Sequence, residues 1–276
     1  MTGISRSTGV DLLDPGQARA AVAAARPEVV YHLAALASVS RSWDDPGRPV
    51  AENPAATVNL LEAVRAQAPG ARVLCAGTGE VYGPPDQLPV TEDAPLRPQS
   101  PYAVSKAASE LVAGLYADAH GLPVVRTRAF NHAGPRQSTV YAVASFARQV
   151  AAGIASGAEP IRVVTGNPRS ARDFTDVRCV VRAYRMLALE ADPGVYNVCS
   201  GRAVSVAEIV EALGRVAGRS VEHVVDESLV RSHDVAEVRG DHGRLSAAVG
   251  WEPEIPLEQT LADTVAWWTG ELRDAA

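Results

Sequence analysis

The chain has 276 residues, enough for one large α/β domain or for a main domain with a smaller lobe. Its formal net charge of −6 argues against non-specific binding to nucleic acid. No apolar run approaches the roughly 18 residues that a membrane span requires. We therefore expect partners that are neither nucleic acid nor membrane.

The three cysteines, Cys75, Cys179 and Cys199, have neither the spacing of metal ligands nor the pattern of a disulfide framework. Such thiols are typical of a reducing compartment, so we expect a cytoplasmic protein. The six histidines are scattered along the chain and indicate no metal site.

The first half of the chain alternates between helical and strand patterns. Residues 2–7 are typical of the end of a strand that runs into a loop. Helices are predicted over residues 17–25, 53–67 and 101–120, the last ending at the cap residue Gly121. Buried strands are predicted over residues 28–33, 71–76 and 122–127. This alternation indicates βαβ units and a parallel sheet.

The second half is less regular. Helices are predicted over residues 139–152, 177–190, 206–217 and 257–272, and short strands over 161–164 and 195–198. Ser205 and Glu208 form a capping box that marks the start of the third of these helices. We expect an α/β fold in which a smaller lobe follows the sheet and some late strands return to it.

Tyr102 and Lys106 lie four positions apart in the helix predicted over residues 101–120, so they share one helical face. A nearby ammonium favours the phenolate and lowers the pKa of a tyrosine. Such a tyrosine can exchange a proton with a carbonyl or hydroxyl oxygen. Taken alone, this spacing more often means a half-buried ring beside a solvated charge.

Thr78 and Glu80 directly follow the strand predicted over residues 71–76. Ligands of open α/β sheets bind beyond the carboxyl ends of the strands, so this hydroxyl and this carboxylate would lie where chemistry takes place. The same segment equally suits a turn in which Thr78 caps its neighbours and the glycines adopt positive φ.

Motifs that carry a family resemblance extend over nearly the whole chain, at residues 78–83, 100–106, 128–138, 170–177, 196–201 and 250–253. They resemble the extended short-chain dehydrogenase/reductase family, also called the NAD-dependent epimerase/dehydratase family. Its members act on nucleotide sugars with a nicotinamide cofactor. Asn131 and His132, before residues 134–138, resemble the GDP-mannose branch. Within that branch, residues 134–138 and 197–201 look more like a 4-ketoreductase than a 4,6-dehydratase.

The resemblance implies a Rossmann-like doubly wound parallel sheet. Residues 1–160 would form a truncated dinucleotide-binding domain, and residues 161–276 mainly a substrate-binding lobe. Tyr102 would be the proton donor to the sugar O4 in a reductase, or the base at O4 in a dehydratase. Lys106 would lower the pKa of Tyr102 and hold the nicotinamide ribose, and Thr78 would bond O4. Glu80 would orient the sugar in a reductase, or remove the C5 proton in a dehydratase.

The resemblance also implies contacts with the cofactor and with the substrate. Besides Tyr102 and Lys106, cofactor contacts are expected from Arg6, Asp11, Leu12, Leu33, Ala34, Ala35, His132 and Arg136. A basic residue at position 6 suits a 2′-phosphate, so we expect NADP, with NAD left open. Contacts with the diphosphate of a GDP-linked sugar are expected from Asn131, Arg172 and Arg231. Relatives imply a homodimer built on a four-helix contact.

The sequence departs from the family in lacking an N-terminal glycine-rich turn, since Gly3 and Gly9 are too few and wrongly spaced. By the size of a βα unit, about 25 to 30 residues are missing, which would leave a gap in the sheet. Met1 could be an internal methionine of a longer protein, the chain could be a truncated paralogue, or another chain could fill the gap. We expect the first, because every later motif is intact. If the chain is complete, we expect weak NADPH binding and association through the exposed sheet.

Three functions follow from these observations. The first is an NADPH-dependent 4-ketoreductase acting on a sugar of the GDP-4-keto-6-deoxy-mannose type. The second is a GDP-mannose 4,6-dehydratase, and the third is a non-catalytic paralogue that binds a nucleotide sugar or a partner subunit.

Overall fold

The structure is a computed structural model, and it describes residues 2–230 and 235–274. Its helices are α1 (Pro15–Ala25), α2 (Gly47–Gln67), α3 (Pro101–His120), α4 (Ala142–Ser156), α5 (Val177–Glu190), α6 (Val206–Ala217), α7 (Gly243–Val249) and α8 (Leu257–Asp274). Its strands are β1 (Val29–His32), β2 (Arg72–Thr78), β3 (Val124–Ala129), β4 (Asn131–Ala133), β5 (Ile161–Thr165), β6 (Ala171–Asp176), β7 (Gly194–Val198), β8 (Ala203–Ser205), β9 (Val221–Val225) and β10 (Glu237–Val238).

The main sheet has the order β1-β2-β3-β7, and all its strands are parallel. Successive side chains of a strand point to opposite faces, so each face needs its own cover. Val73 packs with Leu61 of α2 and Ala113 of α3, whereas the next residue, Leu74, packs with Ala183 of α5. The sheet is therefore covered by helices on both sides, and the predicted α/β parallel-sheet fold is confirmed.

The edge formed by β1 is open among the described residues, because β1 pairs only with β2. The strand predicted over residues 2–7 is wrong. A 3₁₀ turn occupies Arg6–Thr8, and Ser5 and Thr8 cap it by exchanging side-chain-to-backbone hydrogen bonds. These polar side chains satisfy the local backbone, and no described strand lies beside the segment to make it extended.

A second group of elements packs around α4, α6 and α8. Its core includes Phe146, Ile161, Leu213 and Leu261. Strand β6 pairs with β4, β8 and β10, and β5 pairs with β9. Strand β7 comes from residues 161–276 but lies in the main sheet. The division of the chain at residue 160 remains a prediction.

Helix α2 begins at Gly47 rather than at the predicted residue 53 and contains Pro54 in its interior. Proline normally marks the first turn of a helix because it cannot donate a backbone hydrogen bond, which explains the late start in the prediction. Helix α4, by contrast, begins three residues later than predicted, at Ala142. No helix within residues 2–230 and 235–274 is long and apolar enough to cross a bilayer.

Candidate active site

Helix α3 begins and ends where local chemistry requires. The Ser100 side chain accepts a hydrogen bond from the Ala103 N–H at 3.1 Å, and Pro101 occupies the first helical position. At the other end Gly121 adopts φ 66°, the left-handed conformation that favours glycine. The first turn of the helix therefore presents Tyr102, and the second presents Lys106.

The Tyr102 phenol lies beside the carboxyl end of β2. Burial raises the pKa of Tyr102, and a hydrogen bond with Thr78 lowers it by less. Tyr141, Glu80 and Tyr184 raise it further through their charges. The predicted net lowering of this pKa is therefore wrong, because desolvation of the ring outweighs any contribution from Lys106. The phenol stays protonated at neutral pH.

Thr78 caps a turn and also lies beside Tyr102. Its side chain accepts a hydrogen bond from the Glu80 N–H at 3.2 Å and so caps the 3₁₀ turn Gly79–Tyr82. The Thr78 side chain is buried beside Tyr102, while Glu80 is exposed to solvent. A capped turn thus fixes the hydroxyl and carboxylate beside the phenol.

Lys106 is the only lysine in the sequence, since 25 of the 26 basic residues are arginines. It is 7% exposed, and burial lowers its pKa. Its side chain forms no hydrogen bond or ion pair with any residue that the structure describes. Every other basic residue of the chain is an arginine. A lysine at this position indicates a need for a compact ammonium, whose pKa, unlike that of a guanidinium, shifts readily on burial.

His32 is a neighbour of Lys106 that the sequence analysis missed. It is 5% exposed, and its Nε2 lies 3.1 Å from the Thr57 hydroxyl. Burial, with a smaller contribution from the Lys106 charge, lowers the pKa of His32 to about 4. Tyr141 and Tyr184, which face Tyr102, were also missed, because only the fold brings their segments together.

Three residues predicted to contact the cofactor follow β1. Leu33 and Ala34 are exposed and Ala35 is half-buried, so small side chains leave the backbone accessible there. The hydrogen-bond donors of the Lys106 ammonium have no partner among the described residues, which suits a ligand with hydroxyl groups such as a ribose. No described segment beside β1 forms a glycine-rich turn at a helix N-terminus.

In the region predicted to bind the adenosine part of the cofactor, charged side chains of the chain pair with one another. Arg6 lies in the 3₁₀ turn rather than at the end of a strand, where it was predicted. It contacts Asp11 at 3.2 Å and Glu52 at 3.0 Å. The Leu13 N–H donates to Asp11 and lowers the pKa of this carboxyl, while the Leu12 carbonyl accepts from Asn59 at 2.8 Å.

The predicted substrate residues lie on the neighbouring strands β4 and β6. Asn131 aligns with Phe174, so Arg172 is two residues away along the adjacent strand. Arg172 donates to the Val235 carbonyl at 2.7 Å. The next residue, Asp173, anchors this motif by accepting hydrogen bonds from the backbone of residues 200 and 201. The predicted contact Arg231 lies outside the described residues.

His132 and Arg136 flank the turn that follows β4. His132 is exposed, and its Nδ1 lies 3.3 Å from the Phe130 carbonyl. Arg136 adopts φ 70°, an uncommon conformation for a residue other than glycine, and is also exposed. Gln137 donates to the His132 carbonyl at 2.8 Å and closes the turn. Within the described ranges no cluster of three or more His, Cys, Asp or Glu side chains could hold a metal.

A Thr/Tyr/Lys set at the carboxyl end of a doubly covered parallel sheet defines an α/β protein of the extended short-chain dehydrogenase/reductase class. The chain belongs to the family described as GDP-mannose 4,6 dehydratase, whose model matches residues 5–264. The predicted family is confirmed.

Three comparisons describe its relatives. The chain is 36% identical over 251 residues to GDP-6-deoxy-D-mannose reductase of Pseudomonas aeruginosa, covering 90% of this chain and 82% of that protein. It is 27% identical over 296 residues to GDP-mannose 4,6-dehydratase of Yersinia enterocolitica, covering 96% and 78%. The solved structure of RMD from Pseudomonas aeruginosa complexed with NADPH superposes with a TM-score of 0.88 at 35% identity, covering 95% of this chain and 88% of that one.

Proposed function

We propose that the protein is a nucleotide-sugar 4-ketoreductase that reduces a GDP-4-keto-6-deoxy-mannose-type substrate with NADPH. The observation that carries this proposal is the half-buried, protonated phenol of Tyr102 beside the Thr78 hydroxyl. A reductase needs a proton donor at the ketone oxygen, and a tyrosine with a raised pKa supplies that form throughout the neutral range. The 36% identity to a GDP-6-deoxy-D-mannose reductase supports the substrate class.

Each residue of the set has one task in this reaction. C4 of the sugar accepts a hydride, which a reduced nicotinamide would supply when bound. Tyr102 donates its proton to O4, and Thr78 bonds O4 and holds the ketone in line. Lys106 holds the nicotinamide ribose, and its positive charge stabilises the phenolate that Tyr102 becomes. Glu80 orients the sugar by accepting hydrogen bonds from the sugar hydroxyl groups.

The remaining predicted residues bind the two nucleotides. Asn131, Arg172 and Arg231 hold the sugar diphosphate, and arginine forks suit its oxygens. For the cofactor, Arg6 favours a 2′-phosphate, so NADPH is preferred over NADH. The backbone at Leu33, Ala34 and Ala35 approaches the cofactor, and Asp11 and Leu12 border the adenine. His132 on β4 and Arg136 in the turn after it contact the nicotinamide side and the phosphates.

A GDP-mannose 4,6-dehydratase is the alternative, and the exposure of Glu80 beside Tyr102 favours it, because that reaction needs a base for the C5 proton. Incubation with GDP-mannose and no added reductant separates the two, since the reductase should leave GDP-mannose unchanged by NMR. Release of a 4-keto product would contradict the reductase assignment. For a reductase, Glu80→Gln should lower kcat less than about tenfold, whereas a dehydratase would lose about 10² to 10⁴.

We further propose that two copies of the chain associate through α2 and α3. Exposed apolar residues lie on these helices: Val50 on α2, and Val104, Leu111 and Leu115 on α3. Val104, Leu111 and Leu115 are spaced by seven and four residues and so share one face of α3, and exposed apolar side chains grouped in this way are typical of an interface. Light scattering should give the mass of a dimer, and Leu111→Lys should give that of a monomer. The free state of all three cysteines supports a cytoplasmic location.

A further inference from the structure

Arg128 is a buried cation near the end of β3 that the proposed reaction does not use. It is 6% exposed, and its guanidinium binds one carboxylate twice. Its Nε lies 3.1 and 3.0 Å from the two oxygens of Glu110, and its Nη2 lies 2.6 Å from Oε1. The remaining guanidinium nitrogen, Nη1, donates to the Tyr82 hydroxyl and to the Glu92 carbonyl, each at 2.9 Å.

These partners belong to the two segments that carry the proposed catalytic set. Glu110 lies one turn after Lys106 on α3, so the two side chains share a helical face. Tyr82 ends the 3₁₀ turn that begins at the Thr78 cap and contains Glu80. Arg128 thus connects the helix of Tyr102 and Lys106 to the turn of Thr78 and Glu80.

The connection to the turn is held firmly. Burial raises the pKa of Tyr82 to about 12, so its hydroxyl keeps the proton that it donates to Asn197 Oδ1 at 2.7 Å. Asn197 in turn donates its backbone N–H to the Glu92 side chain at 2.7 Å. Arg128 therefore sits at the centre of a network in which each buried polar group has a partner.

The connection to the helix has an electrostatic consequence. Lys106 and Glu110 line one small cavity between α3 and the sheet, and the Glu110 charge acts on Lys106. His32 from β1, Cys75 from β2 and Arg126 from β3 also face this cavity. Glu110 is the carboxylate in that set, and a buried carboxylate without a cation would attract the ammonium.

We propose that Arg128 is a positioning residue: its pairing with Glu110 keeps Lys106 unpaired and available to ligands, and its bond to Tyr82 fixes the turn that carries Glu80. Arg128 touches neither substrate nor cofactor in this account. The proposal rests on the proposed function for its meaning in catalysis, but the pairing itself is measurable without turnover.

The single lysine makes that measurement direct. Protein labelled with ¹³C,¹⁵N-lysine gives one lysine side-chain signal, whose pH titration reports the pKa of Lys106. Arg128→Met should raise that pKa by about 1 unit or more, because Glu110 then turns to Lys106. The double variant Arg128→Met/Glu110→Gln should return the pKa to the wild-type value or below.

A matched control exists on the neighbouring helix α2. Glu62 is bound by Arg65 at 2.7 Å and by Tyr116 of α3 at 2.8 Å, so it repeats the Arg–Glu–Tyr chemistry away from Lys106. Arg65→Met should leave the Lys106 titration unchanged. Should Arg128→Met fail to fold, Glu110→Gln and its control Glu62→Gln decide, because only Glu110→Gln should lower the pKa of Lys106.

Turnover provides the second readout. Arg128→Met should lower kcat for the ketone more than it raises the KM of the sugar, because alignment rather than sugar binding is lost. An inactive wild-type enzyme would refute the proposed function. The titration of Lys106 would still test the pairing of Arg128 with Glu110. A folded Arg128→Met or Glu110→Gln variant with the wild-type pKa of Lys106 would overturn the positioning role.

Discussion

Acidification should destabilise the protein through His32. The side chain is buried beside the charge of Lys106, and its pKa falls from 6.5 to about 4 on folding. Above pH 6.5 the histidine is neutral in both states and has no effect. Between pH 6.5 and 4 the unfolded chain binds a proton that the folded chain does not, so the free energy of unfolding falls as the pH falls.

The size of the effect follows from the two pKa values. At about 1.4 kcal/mol per pKa unit, the full loss is about 3 kcal/mol, and about 2 kcal/mol of it is reached by pH 5. The residue is 5% exposed, so solvent screening does not reduce this figure greatly.

The variant His32→Gln isolates this contribution, because an amide can keep the hydrogen bond with Thr57 but does not titrate. Urea unfolding at pH 7 and pH 5 gives the loss of stability for each protein, and the carboxylates contribute equally to both. Wild type should lose about 2 kcal/mol more than the variant. Equal losses in the two proteins would refute the assignment of His32 as a buried neutral group.

Three further predictions concern the site and its frame. Tyr102→Phe should lower kcat for ketone reduction by about 10² to 10⁴ while the sugar still binds, measured by NADPH oxidation and calorimetry; full activity would exclude the proton transfer. Arg6→Ala should raise the KM of NADPH but not that of NADH, and an equal rise in both would remove the 2′-phosphate role. Gly77→Ala should destabilise the fold by about 1 to 3 kcal/mol or more in urea unfolding, because a Cβ there collides with a backbone carbonyl of β3. Gly47→Ala, which meets open space, is its control and should change stability by less than about 1 kcal/mol.

The sequence predicts helix α3 well, because residues at its two ends determine where it begins and ends. Ser100, Pro101 and Gly121 specify both ends without help from the rest of the fold. The parallel sheet was equally predictable, since β-branched runs alternate with helical periods. The proximity of Thr78 to Tyr102 then follows from the rule that sites form at the carboxyl ends of strands.

The predictions that failed depend on distant partners. A strand over residues 2–7 needs a neighbour that the described chain does not supply, and the local caps of Ser5 and Thr8 prevail. Strands β4, β6, β8 and β10 have two to six residues each and pair with strands that are distant in sequence. Local sequence patterns do not predict such pairings.

The raised pKa of Tyr102 could not be predicted from spacing, because it depends on the burial of the ring and on the charges of Tyr141, Glu80 and Tyr184, which only the fold brings near it. The helical spacing of Lys106 and Glu110 was visible in the sequence, but its meaning required the position of Arg128. The contacts assigned to Arg172, His132 and Arg136 remain predictions.

The central claim is that Tyr102, Thr78 and Lys106 reduce a 4-keto sugar. Its most direct test is to mix the protein with GDP-4-keto-6-deoxy-mannose and saturating NADPH, and to follow absorbance at 340 nm together with the NMR spectrum of the sugar. One NADPH should be oxidised for each 4-hydroxy sugar formed, and deuterium from 4-deuterated NADPH should appear at C4. An unchanged ketone, or a 4-keto product made from GDP-mannose without added reductant, would contradict it.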